Sequence, residues 1–329
     1  MLLGTAGLPQ PAEAQTTTTW RIQTHQPAGS GSYQDSFVGM AEALEERTDG
    51  RLKLELHPAD SLMGATEIFP AVSRGIIPMG YTSTGYIMDY VPTAGLAFTV
   101  PGVFRSTDEA VHFWMEDGFE ELLKEEAAEH NVMYFTEKLY PTSLILKKPV
   151  DSLAEFSQLK IRSAGLLQTF LSEVGPATTY IPGPEIYQAL STGVVDGAHW
   201  GAMQEANSLS LYETAKYQMT PPLGIGNPEA WIINKDAFEA LPDDVQKILV
   251  DTIEERFYSR TKEYAQQEEA IKAKLQETEN VQVVELPQDV QDKMKQASAT
   301  LRSQEAKRSE NTAEAVRLLE RFIEERDER

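Results

Sequence analysis

The chain has 329 residues, of which 41% are hydrophobic, so it is long enough to bury more than one core and two lobes are expected. Its 51 acidic and 29 basic side chains give a formal net charge of −22, which argues against nucleic acid or an anionic membrane as a partner. The sequence contains no cysteine, which excludes disulfides, thiolate metal sites and cysteine nucleophiles.

The first residues have features of a secretory signal. An apolar start is followed by Ala12, Glu13 and Ala14, which fit the small-x-small pattern of signal cleavage, although a basic n-region is missing. We therefore expect residues 1–14 to be a residual signal peptide, with the mature chain beginning near Gln15; a disordered tail is the alternative. No later stretch approaches the ~18 consecutive apolar residues that a membrane span requires.

Apolar strands alternate with amphipathic helices in the next part of the chain. The pattern predicts strands at residues 20–24, 52–56 and 76–81, with helices at 32–48 and 65–74 between them. This order predicts an α/β fold with a mostly parallel sheet and helices on both faces. Ligands bind such sheets beyond the carboxyl ends of the strands, where the loops THQPAGSG, YTSTGY and IRSAG lie.

The second half of the chain is expected to build another lobe and then return. The predicted division gives lobe I residues 15–138 and 225–262, and lobe II residues 139–224 and 263–329. A long helix is predicted from residue 243, where two aspartates favour the positive end of its dipole. The charged segment from Gln288 onward predicts a second helix, with a fraying end.

Residues 159–217 hold the densest group of candidate binding residues. Arg162 ends a short apolar stretch, and an arginine presents a rigid fork of donors that pairs with a carboxylate in bidentate fashion. A negatively charged protein that binds an anion needs such a local positive site. A short helix at 185–192 follows, closed by Gly193, and VVDGAHW is predicted as a buried strand.

The order of IRSAG, PGPEIYQALSTGVVDGAHW and LYETAKY resembles the solute receptors of tripartite ATP-independent periplasmic (TRAP) transporters, over residues 20–249. The Trp200-Gly201 pair is more similar to the branch that binds 2-oxo and hydroxy monocarboxylates than to the C4-dicarboxylate branch. The resemblance implies a periplasmic protein of two lobes, linked by a long helix, that closes on a small organic acid and delivers it to the membrane permease subunits. Some relatives dimerise through C-terminal helices, so a homodimer through the segment after Gln288 stays open.

The resemblance also assigns three binding residues. Arg162 would anchor the ligand carboxylate, with a surface salt bridge as the alternative. Trp200 would form a wall of the pocket and Tyr86 would cover the ligand from lobe I, since aromatic faces add contact area at low entropic cost. Packing in the core is the alternative for both.

Further candidates are His25, His199 and Gln204. His25 lies where some family members send a polar side chain into the cleft, although a lone histidine is more often structural. The monocarboxylate branch commonly has a metal-holding glutamate where this chain has His199, and an assisting glutamine near Pro141. Neutral imidazole is a poor ligand for sodium or calcium, so we expect no metal and no other cofactor, and a direct hydrogen bond from His199 to the ligand.

Gln204 and Glu205 follow Trp200 closely enough to line the cleft if the loop turns back, and Gln204 is the one taken as a binding candidate. The alternative places both residues in the first turn of the next helix.

Motifs for catalysis are missing from the sequence. Ser83, His25 and Asp60 could be combined as a triad, but no GxSxG, GxGxxG, GxxxxGK[ST] or HExxH motif is present. We therefore predict a receptor and not an enzyme. A sensing protein for a membrane receptor kinase and, less favoured, a hydrolase are the alternatives; an enzyme would consume its ligand, whereas a receptor returns it unchanged.

Overall fold

The computed structural model describes residues 16–97, 103–278 and 280–328. The predicted signal peptide at residues 1–14 and its cleavage point near Gln15 lie outside the described residues.

Two mixed sheets organise the described chain. The strands are β1 Thr18–Thr24, β2 Leu52–His57, β3 Met79–Ser83, β4 Val132–Thr142, β5 Leu144–Leu146, β6 Lys160–Arg162, β7 Ala177–Thr179, β8 Gly197–His199, β9 Tyr217–Thr220, β10 Gly224–Asn234 and β11 Gln282–Glu285. The first sheet has the order β2-β1-β3-β10-β4, and the second β11-β9-β5-β8-β6-β7. In the first, β1 pairs in parallel with β2 and β3, whereas β10 runs antiparallel to β3 and β4.

Helices pack on these sheets. They are α1 Gly39–Arg47, α2 Ile68–Ser73, α3 Thr93–Ala97, α4 Thr107–Met115, α5 Phe119–Ala128, α6 Leu153–Phe156, α7 Gly165–Val174, α8 Ile186–Thr192, α9 Met203–Ser208, α10 Lys235–Glu239, α11 Asp243–Thr278, α12 Gln288–Glu305 and α13 Glu310–Asp327. Short helical turns occur at Tyr33–Val38, Ala65–Glu67, Thr84–Tyr86, Gly183–Glu185 and Leu211–Glu213. No helix within the described ranges is both long and apolar enough to cross a membrane.

The two sheets form two lobes with separate cores. We call the first sheet with its helices lobe I and the second lobe II. Lobe I buries aromatic and aliphatic side chains such as Trp114 and Trp231, and lobe II buries its own set around Phe170 and Leu190. This architecture confirms the predicted two-lobe α/β fold.

The chain crosses between the lobes at the ends of long strands. Strand β4 of lobe I ends at Thr142, and β5 of lobe II begins at Leu144; the return runs from β9 into β10. Helix α11, of 36 residues and therefore about 54 Å long, packs on α1 and β4 of lobe I and on α9 of lobe II. The long helix predicted from residue 243 thus contacts both lobes.

Some predicted boundaries were wrong. The single helix expected after Gln288 is two helices, because the chain turns after Glu305 and Ser309 caps α13 by accepting from the Thr312 amide at 3.0 Å. The helix expected at 65–74 begins as a tight turn and becomes α-helical only at Ile68. Helix α13 packs against α5 on lobe I, whereas the predicted division assigned residues 263–329 to lobe II.

Candidate functional site

A small cavity lies between the two lobes, beyond the carboxyl ends of β1, β3, β6 and β8. Its volume is about 30 Å³ for the centre of a water-sized sphere, more than the ~10–15 Å³ that one water needs. Lobe I contributes His25, Gln26, Ser83, Gly85, Tyr86, Tyr140 and Glu229 to its lining, and lobe II contributes Arg162, Ala164, His199, Trp200, Gly201 and Glu205. The structure thus brings five of the six predicted site residues to one cavity.

Arg162, at the end of β6, is a cation buried to 1% exposure. Its Nε donates to the carbonyl oxygen of Ile181 at 2.8 Å, and its Nη1 donates to that of His199 at 2.7 Å. Among the described residues, no hydrogen-bond partner reaches its Nη2 and no carboxylate forms an ion pair with it. The two carbonyls therefore fix the orientation of the guanidinium. Its Nη2 is left to donate to another group, and the side chain lines the cavity.

Trp200 packs beside Arg162 in lobe II. The guanidinium carbon lies 5.1 Å from the centroid of its ring, within cation-π range. The far end of the indole lies against Gly183, where an added Cβ would come within 2.6 Å of Trp200 Cη2. Trp200 is therefore a wall of the cavity and a member of the lobe II core at once.

His199 ends β8, the strand adjacent to β6, one residue beyond Ala198, which pairs with Arg162. Its Nδ1 lies 3.1 Å from the Ser163 hydroxyl. Burial, followed by the charge of Arg162, lowers the pKa of His199 well below the ordinary 6.5. The imidazole is therefore neutral at physiological pH and adds no charge to the anchor.

Tyr86 and His25 form the lobe I side. The ring of Tyr86 is 5.3 Å from the ring of His25 and 6.2 Å from that of Tyr180 in lobe II, which it meets edge-on. Both nitrogens of His25 face acceptors of lobe I, the Tyr81 carbonyl oxygen at 3.4 Å and the Glu229 carboxylate at 3.3 Å. His25 thus holds Glu229 in place as well as lining the cavity.

Next to His25, on the lobe I side, lies a buried charge cluster that the sequence did not predict. The Lys138 ammonium, with a 0% exposed side chain, contacts the carboxylate of Glu229, and the Tyr81 hydroxyl donates to that carboxylate. Burial by itself would raise the pKa of Glu229, but the charge of Lys138 and the hydrogen bond from His25 outweigh it and hold the pKa below its ordinary value. Three charged residues within two long strands were the available signal: Glu137 and Lys138 in β4 and Glu229 in β10.

Glu205 lines the cavity, whereas the structure places Gln204 outside it. Helix α9 puts Gln204 against Gly31, and its backbone amide donates to Glu268 at 2.6 Å. The Oε1 of Glu205 accepts hydrogen bonds from the Ser32 hydroxyl and, at 2.9 Å, from the Ser32 amide, so it joins the two lobes. Burial and the charge of Glu229 raise the pKa of Glu205.

The His and Glu side chains of this cavity do not form a metal-binding cluster, although Gln26 and Glu205 each keep an oxygen without a partner among the described residues. In the part of the chain that the structure describes, no group of three or more His, Asp or Glu side chains could hold a metal ion. His199 offers a neutral nitrogen, and Glu229 is already satisfied by a lysine, a tyrosine and a glutamine. Hard cations prefer several oxygen ligands.

Comparison with known proteins identifies the relatives of this chain. The family profile of DctP, described as bacterial extracellular solute-binding protein, family 7, matches residues 23–308. A relative described as a monocarboxylate 2-oxoacid-binding periplasmic protein, from Nostoc sp., is 28% identical over 250 residues, which cover 74% of this chain and 65% of the relative. The match thus spans just under two thirds of that relative. An ectoine-binding periplasmic protein of Halomonas elongata is 25% identical over 67% of this chain and 65% of its own length.

Solved structures share the fold. A TRAP periplasmic solute-binding protein from Pseudoalteromonas atlantica, with bound sodium and pyruvate, superposes with a TM-score of 0.86 at 23% identity, covering 94% of this chain and 95% of the other. A Bordetella pertussis extracytoplasmic solute receptor that binds pyroglutamic acid gives 0.81 at 21% identity, over 92% and 100% of the two chains. These matches confirm the predicted resemblance and its two-lobe fold.

Proposed function

Because the chain belongs to the bacterial extracellular solute-binding proteins, family 7, which are the periplasmic receptors of TRAP transporters, we propose that it binds a small organic acid through an ion pair with Arg162. The observation that carries the proposal is the Nη2 of this buried arginine, which has no partner among the described residues and belongs to a side chain that lines the cavity. A buried charge is costly unless it is paired, and a carboxylate would supply both the charge and the bidentate geometry.

The size of the cavity supports a small ligand. About 30 Å³ of centre volume in this arrangement favours a small organic acid over a larger ligand. Relatives described as binding a 2-oxoacid, pyruvate or pyroglutamate are consistent with a monocarboxylate as the ligand. Trp200 and Tyr86 would cover the apolar part of the acid, and His199 would hydrogen-bond an oxygen.

Delivery to a membrane permease is the second part of the proposal. The cavity is lined from both lobes, so a ligand that contacts both favours the closed form over the open one. The permease would then recognise the closed receptor and accept the acid unchanged. Cells that carry the matching permease should take up the labelled acid only when the receptor is present.

The test of the anchor uses two substitutions of one residue. Arg162→Met keeps the length of the side chain and removes its charge, so affinity for the acid should fall at least 100-fold, from the loss of roughly 3 kcal/mol or more. Arg162→Lys keeps the positive charge but cannot form the bidentate pair, so it should weaken binding less than Arg162→Met does. Arg317→Met, on exposed α13, is the control.

Calorimetric titration of lactate, pyruvate and pyroglutamate against each variant provides the measurement. The free Arg162→Met protein should lose little stability, because removal of a buried charge that has no counterion in the described chain offsets the loss of its hydrogen bonds to the Ile181 and His199 carbonyls. Parental affinity in Arg162→Met, or failure of every organic acid to bind the parent, would refute the proposal.

A further inference from the structure

Two buried acceptor oxygens belong to residues that line the same cavity as Arg162, one from each lobe. They are the Oε1 of Gln26 and the Oε2 of Glu205, and both residues are 3% exposed. Neither oxygen has a hydrogen-bond partner within residues 16–97, 103–278 and 280–328. Together with the Nη2 of Arg162 we call them the open atoms.

The orientation of Gln26 is fixed by its neighbours. Its Nε2 donates to the Oε1 of Glu229 at 2.5 Å, and a carboxylate held ionised by Lys138 only accepts. The other end of the amide must therefore be the carbonyl oxygen. At the cavity Gln26 can accept a hydrogen bond and cannot give one.

Glu205 is held from the opposite lobe. Its Oε1 accepts hydrogen bonds from both the amide and the hydroxyl of Ser32. Its Oε2 is therefore the oxygen that can accept a hydrogen bond from another group. The charged and titratable groups near it are Glu229, Lys138 and Tyr140 of lobe I and Tyr264 and Glu268 of α11. Among the described residues, no cation forms an ion pair with Glu205, so in its carboxylate form its second oxygen needs a donor from the ligand.

The open atoms therefore specify two features of a ligand. Arg162 requires an acceptor, which a carboxylate provides, while Gln26 and the carboxylate form of Glu205 require a donor. A 2-oxo acid has no donor and would leave both oxygens buried and unpaired, and a site built to bond a hydroxyl or N–H discriminates strongly against an analogue that lacks it. The Ser83 hydroxyl, also at the cavity, can donate or accept and does not distinguish the two kinds of acid.

We propose that Gln26 and Glu205 are specificity-determining residues that select an organic acid carrying a hydroxyl, amino or lactam N–H group over the 2-oxo acid of the same skeleton. This inference rests on the proposed function, because it assumes that an acid binds in this cavity. It specifies which kind of acid is preferred and which residues determine that preference.

The experiment measures a ratio of affinities. Lactate and pyruvate share one carbon skeleton, as do 2-hydroxyisovalerate and 2-oxoisovalerate, and each pair is titrated by calorimetry at pH 8, which favours the carboxylate form of Glu205. Both enantiomers of the hydroxy acids are used. The parent should bind the better enantiomer of at least one hydroxy acid at least tenfold more tightly than its 2-oxo partner.

Variants then assign the preference. Gln26→Met removes the acceptor, so the ratio should fall below about threefold, mainly through weaker binding of the hydroxy acid. Glu205→Met should reduce the ratio independently, and it serves as the second arm if Gln26→Met does not fold. Ser83→Ala is the control, and it should change the affinity for both acids with the ratio retained.

Each other outcome overturns a distinct statement. Equal or tighter binding of the 2-oxo acids by the parent, or an unchanged ratio in both Met variants, would refute the inference and leave the proposed function intact. Binding that requires added sodium or calcium for both acids would assign the two oxygens to a cation and also refute it. Failure of all four acids to bind would refute the proposed function itself.

Discussion

Replacement of Lys138 by methionine tests how the buried charge cluster holds the site. Lys138 lies on β4 directly opposite Glu229 on β10, and its side chain is completely buried. Its ammonium donates to the Tyr81 hydroxyl at 2.7 Å and to the Ser36 hydroxyl at 3.2 Å, and lies 3.5 Å from Glu137. Methionine fills a similar volume without the charge.

The substitution should lower the free energy of unfolding by about 3–5 kcal/mol, the usual cost of leaving one member of a buried ion pair alone. Glu229 would keep its hydrogen bonds from Tyr81 and Gln26 but lose the cation that holds its pKa down. Its pKa in the folded variant should rise, so the deficit should shrink as the pH falls from 8 to 5, because the folded state then binds the proton more tightly than the unfolded chain.

Urea unfolding at both pH values provides the measurement, with Glu229→Gln and the double variant completing a cycle. Because the double variant removes both charges, it should be more stable than Lys138→Met alone. Lys247→Met, on the exposed face of α11, is the control and should cause no measurable change. A loss below about 1 kcal/mol in Lys138→Met, or losses that simply add in the double variant, would refute this account of the cluster.

Two further predictions concern the lobe interface. Burial raises the pKa of Glu268, which accepts from the first amides of α9, to about 7, so the folded state binds its proton more tightly than the unfolded chain does and stability should fall as the pH rises from 5 to 8. Glu268→Gln should flatten this profile by up to about 3 kcal/mol in thermal unfolding, and an unchanged profile would contradict the assignment. At Gly165, with φ +60°, an added Cβ would lie 2.8 Å from the Gly85 Cα of lobe I, so Gly165→Ala should keep the lobes apart and weaken acid binding at least tenfold. Gly118→Ala, at φ +87° and with nothing within 4 Å of the added Cβ, is the matched control in calorimetry and small-angle scattering, and equal effects of the two substitutions would refute the steric argument.

Local sequence patterns were sufficient for the elements that present the anchor. Strand β6 ends at Arg162, where the sequence places the end of a short apolar stretch, and Gly193 closes α8 with a positive φ of 74°, as its position in the sequence predicts. The long helix α11 could also be predicted from its start, since the two aspartates of its first turn are a local feature. In each case the information lies within one helical turn or one strand of the residue concerned.

Contacts between distant strands could not be predicted in this way. The pairing of Lys138 with Glu229 depends on the antiparallel register of β4 and β10, which are separated by about 90 residues in the chain. The choice between Gln204 and Glu205 depends on the rotation of α9, since adjacent helical residues point about 100° apart. Sequence spacing placed both residues near the cleft, and only the position of α9 decides that Glu205 reaches it.

The same contacts indicate how ligand binding and closure are linked. Ser32 with Glu205, and Gly85 with Gly165, bring the lobes together through short polar and backbone contacts that need no ligand atoms. In this arrangement the Arg162 guanidinium is buried, and the described chain supplies no carboxylate for it. Under the proposed function, the unpaired charge would oppose closure in the free protein, and a bound acid would remove that opposition. Because a ligand shifts such an equilibrium only by its difference in affinity for the two forms, Arg162 should control closure as well as binding.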